Sequence, residues 1–77
     1  MMDDITFSAE LREILQPLNV VVFRGRVCHI RAVVDDEYIV YRFWSSPIGW
    51  IYRCDWWYGF QLQHEAGKLE IRKKDKE

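Results

Sequence analysis

The sequence predicts a mainly β (α+β) protein in which one N-terminal amphipathic helix precedes a five-stranded, antiparallel, strongly bent sheet. Three observations predict it. Helix-period apolar spacing is confined to residues 7–18. From Asn19 onward, short runs rich in β-branched and aromatic residues alternate with turn-forming residues. A 77-residue chain of 9.4 kDa has room for one small core, since scaling from that mass lets only about 60% of the chain surface be buried on folding.

The helix is expected at about residues 8–16. Ser8 is placed to cap it and Glu10 puts an acid in its first turn, while Phe7, Leu11, Ile14, Leu15 and Leu18 form its stripe and Pro17 stops it. So short a helix must dock on the rest of the chain to persist.

Four strands follow, Val20 to Arg24, Arg26 to Val34, Tyr38 to Trp44 and Gly49 to Cys54, separated by Gly25, by Asp35-Asp36-Glu37 and by Ser45-Ser46-Pro47-Ile48. In the second strand Cys28, Ile30, Ala32 and Val34 form an apolar row. An even-length loop sets it on the same face as Ile39, Tyr41 and Phe43. A four-residue loop at 45–48 would add Trp50, Tyr52 and Cys54 to that face and turn Ile51 and Arg53 outward. Asp55-Trp56-Trp57-Tyr58-Gly59 reads as one capped turn. Phe60, Leu62, Leu69 and Ile71 share a face if His64-Glu65-Ala66-Gly67 is a hairpin loop, this last segment completing the sheet. The expected whole is a single domain, 1–77. Within it an SH3-like small barrel spans about 19–72, the helix covers one opening, and residues 73–77 form a charged tail.

Composition excludes several classes. With 49% hydrophobic and 30% charged residues the chain has enough apolar surface to order itself, and no apolar run reaches the roughly 18 residues that span a bilayer. The acidic start, Met1-Met2-Asp3-Asp4, is unlike a secretory leader, so the expected location is cytoplasmic, with Cys28 and Cys54 as buried, reduced thiols. The net charge of −1 conceals a gradient. Residues 1–18 carry four acids and one base, whereas residues 19–54 carry five arginines and three consecutive acids.

The aromatic residues are the main anomaly. All four tryptophans and ten of the twelve aromatic residues lie between positions 38 and 60, more than a core of this size encloses, since each large ring buries roughly 150–250 Å². Tyr38, Trp44 and one of the adjacent pair Trp56 and Trp57 are the candidates for a surface. The expected outward face also carries His29, Arg31, Arg42 and Arg53. Arg, Trp and Tyr are the residues enriched at protein interfaces, which makes a homodimer, a higher homo-oligomer or another protein the expected partner. The same residue types stack on bases and grip phosphates, so single-stranded nucleic acid is the alternative; its weaker claim follows from the lack of a broad basic footprint. A third reading is a solvated face with arginines lying over rings.

Enzyme signals are poor, with a nuclease using His29 and Arg31 a distant reading behind protein and nucleic-acid binding, and no metal or cofactor is expected. Cys28, His29, Cys54 and His64 lack zinc-motif spacing, Asp35-Asp36-Glu37 reads as a solvated turn, and there is no glycine-rich phosphate loop. In length and expected architecture the chain is similar to the plasmid-borne type II dihydrofolate reductases. Their Val-Gln-Ile-Tyr active-site strand is absent, and no activity carries over.

Overall fold

The computed structural model describes residues 6–72; the tail expected at 73–77 lies outside them. Ser8 accepts a hydrogen bond from the Leu11 N–H and starts α1 (Ala9–Ile14). This helix is shorter than the spacing predicts. Its exposed C-terminal carbonyls, those of Glu13 and Ile14, are taken by the Asn19 side chain at 3.1 and 3.0 Å. Leu18 follows with φ 77°, bonding the Ile30 carbonyl instead of extending the helix.

Four strands follow, β1 (Val20–Phe23), β2 (Arg26–Val34), β3 (Tyr38–Ser45) and β4 (Gly49–Trp56); after them come α2 (Trp57–Glu65) and a two-residue β5 (Glu70–Ile71). The protein is mainly β, with five antiparallel strands in the order β4-β3-β2-β1-β5. The sheet is open. β4 and β5 end the order, and no ladder among the described residues joins them, so the closure expected of a barrel is absent. Both helices contribute to the core on one face of the sheet, where Leu11, Leu15 and Phe60 pack on Val21, Cys28, Ile30 and Ile39. No helix among the described residues is long and apolar enough to cross a membrane.

Residues 57–65 depart most from expectation, forming a helix where a turn and a strand were expected. Trp57, Phe60, Gln61 and His64 recur at helical spacing on its inner side, but the two polar members hide the stripe. Gln61 is only 3% exposed and is satisfied on both sides. Its Oε1 accepts from the Ser8 N–H, and its Nε2 donates to Glu65, both at 3.2 Å. Phe60 stacks on Phe23 at 3.8 Å, and Trp57 stacks on Phe7 at 5.4 Å, tying α2 to β1 and to the entrance of α1.

Strand register also differs, for two local reasons. Val34 pairs with Tyr38 across a three-residue turn, so Val33, not Val34, opposes Ile39 on the core face. A bulge at Arg31 then brings Ile30 opposite Tyr41, restoring the expected sharing of one face by the two rows. At the next hairpin Ser45 pairs with Gly49, leaving three loop residues, with a cis Ser46–Pro47 bond, where four were expected. One residue fewer reverses every side chain of β4. Ile51, Arg53 and Asp55 thus share the side of Phe43, Tyr41 and Ile39, while Trp50, Tyr52 and Cys54 point away from it; Cys54 is exposed, contrary to expectation.

Candidate aromatic interaction surface

The sheet face opposite the helices has no layer over it among the described residues. Alternation places Trp50, Tyr52, Cys54 and Trp56 of β4 beside Trp44, Arg42, Val40 and Tyr38 of β3, with His29 of β2 next to Arg42. Trp44 is 61% exposed, Tyr52 59% and Trp50 40%.

Trp44, Trp50, Arg42, Tyr52 and His29 form one connected cluster, and Trp56, Tyr38 and Tyr58 form a second group further along the same strands. Trp44 and Trp50 are directly paired and meet edge to face at 5.4 Å. The Arg42 guanidinium lies 4.1 Å from the Trp50 ring centre and 5.8 Å from that of Tyr52, and its Nη1 donates to the Tyr52 hydroxyl at 3.0 Å. His29 meets Trp50 edge to face at 5.1 Å. At the other end, Trp56 pairs with Tyr38 and stacks on Tyr58 at 5.1 Å. Arg42 is therefore held flat by two rings, and its shielded Nε has no hydrogen-bond partner among the described residues.

Of the residues singled out by sequence, His29, Arg42, Tyr38, Trp44 and Trp56 share this face. Arg31 sits at the β2 bulge, outside the regular pairing. Arg53 lies on the helix-bearing face, against Phe43 at 5.9 Å, because of the short loop. Trp57 begins α2, half-buried on Phe7, and is not part of the exposed row. Trp50 and Tyr52, assigned by sequence to the core, lie near the centre of the cluster; the length of the 46–48 loop was the signal that places them.

The face offers broad apolar rings, one stacked guanidinium and an imidazole. The Asp35-Asp36-Glu37 turn lies elsewhere, and Arg12 pairs with Asp36, holding that carboxyl below the usual aspartate range. Compared with family models, with curated proteins and with solved structures, the chain matches none.

Proposed function

We propose that this chain is a small, non-enzymatic interaction module that associates with a second copy of itself through the outer face of the sheet. The uncovered row of Trp44, Trp50, Tyr52, Trp56 and Tyr38 carries the reading. Five large rings at about half exposure present roughly 400–600 Å² of ring surface, about the largest apolar patch that a monomer leaves in water. A two-fold pairing covers that patch twice with one surface. The expected SH3-like architecture is not needed, because an open sheet presents a flatter, broader face than a closed barrel.

Arg42 supports a protein partner over a nucleic acid. Its planar fork is committed to two rings and a hydroxyl, and Arg53 is on the other side of the sheet, so the three-arginine phosphate array expected for single strands is not assembled on this face.

Sedimentation at micromolar concentration tests the proposal. The wild type is expected as a dimer or larger, with Trp50→Ala and Trp44→Ala each weakening association by roughly 2 kcal/mol, about 30-fold. Arg42→Lys, which keeps the charge and loses the fork, is expected to weaken it too. A monomeric wild type sinks the reading. Tight, salt-sensitive binding of single-stranded DNA or RNA, lost in Arg42→Ala, makes the nucleic-acid reading primary.

A further inference from the structure

The helices leave part of their own face open. At the end where the β1–β2 hairpin turns, a cavity of about 190 Å³ is walled by Phe23, Tyr41 and Phe43 and carries Arg24, Arg26 and Arg53. These arginines come from three places: the tight turn, the start of β2 and the middle of β4. Each guanidinium lies over a ring. Arg24 is 4.8 Å from the centre of Phe23, Arg26 is 4.3 Å from Phe43, and Arg53 is 5.9 Å from the same Phe43 ring.

Two features place these cations beyond what covering the rings requires. Arg24 is held in the left-handed region, at φ 53°, and reaches across to α2, where a Cβ on Gly59 would stand 3.2 Å from its Nη2. A glycine inside a helix weakens it, and here it leaves the space that the guanidinium occupies. Among the described residues, none of the three arginines has a carboxylate within 4.0 Å. Asp55, the acid in the cavity wall, accepts a hydrogen bond from the Tyr41 hydroxyl.

Three exposed guanidiniums gathered around one half-open hollow favour an anion that joins them. Their sum with Asp55 is +2, from three cations and one carboxylate, the complement of a dianion. We infer that this cavity is an oxyanion site for a phosphate group in its dianionic form, free or as a small monoester, gripped by the outward edges of the ring-stacked guanidiniums. The site lies on the face opposite the aromatic row and does not depend on the association proposed there.

The test is titration of the wild-type protein with inorganic phosphate and, separately, with phenyl phosphate, at constant ionic strength, following the Arg Nε–Hε resonances by NMR. Saturable shifts of Arg24, Arg26 and Arg53 are expected, with affinity rising as pH passes the second pKa of each ligand, about 6 for a phosphate monoester and higher for inorganic phosphate. At a pH above both values, tighter binding of phenyl phosphate identifies a monoester as the better ligand, weaker binding identifies free phosphate, and equal binding shows that the phosphate group alone is recognised. Arg26→Gln and Arg53→Gln should each weaken binding at least about tenfold, the loss typical of one charge-assisted hydrogen bond. Gly59→Ala should weaken it severalfold by displacing Arg24, while Lys68→Gln, at an exposed position away from the cavity, should leave it unchanged. Shifts that never saturate, or an equal loss in Lys68→Gln and Arg26→Gln, overturn the inference.

Discussion

The two cysteines show how a single strand position sets the chemistry of a thiol. Cys28 lies against Val21 in the core, and burial, the largest influence on it, pushes its pKa from 9.0 to about 11. Cys54 is on the outer face and exposed. A thiol reagent added to the native protein is expected to modify Cys54 within minutes and Cys28 only on unfolding; equal rates at the two sites would contradict the register of β4. The raised Cys28 value also fixes a sign. An unfolded chain releases that proton near pH 9 and the folded one near 11, so the contribution is fully present below about pH 9 and fades as pH rises to about 11. Tyr41, raised above its ordinary 10.0 by burial and then by its bond to Asp55, acts in the same direction at still higher pH. Urea midpoints between pH 8 and 11 should therefore fall, and the fall should be shallower in Cys28→Ala.

Among the elements, α1 and α2 depend on each other more than either depends on intrinsic helix propensity. Ser8 caps α1 through its hydroxyl while its backbone N–H donates to Gln61 of α2, and His64 of α2 lies 3.5 Å from Glu10 of α1. Ser8→Ala should cost about 1 kcal/mol in a denaturant series. Phe60→Ala, which empties the space between Phe23 and Tyr41, should cost about 3–5 kcal/mol. The cap, the stripe from Phe7 to Leu15 and all four long strands were legible in the sequence, because each rests on local spacing. α2 was not, since a buried glutamine and a glycine stand where a helix ordinarily shows leucine and alanine. The outer aromatic face was half legible. Tyr38, Trp44, Arg42 and His29 follow from β2 and β3, but Trp50 and Tyr52 depend on a loop length that propensities do not report.

At the scale of the whole molecule, a two-layer arrangement leaves one sheet face bare among the described residues. If the face is covered by a second copy, folding and association are linked, and the melting temperature should rise with protein concentration. Differential scanning at concentrations spanning a hundredfold checks this; the rise should vanish in a Trp44→Ala, Trp50→Ala double variant. The three-residue 46–48 connection has a further consequence, for how such a sequence drifts. Adding or removing one residue there would carry Trp50 and Tyr52 into the core and expose Ile51, whereas a change of two would leave both faces as they are. Descendants that keep the fold should therefore vary this loop in steps of two. A descendant that has changed it by one should betray the slip by exchanging the odd and even positions of β4, with tryptophan and tyrosine where isoleucine and arginine now stand.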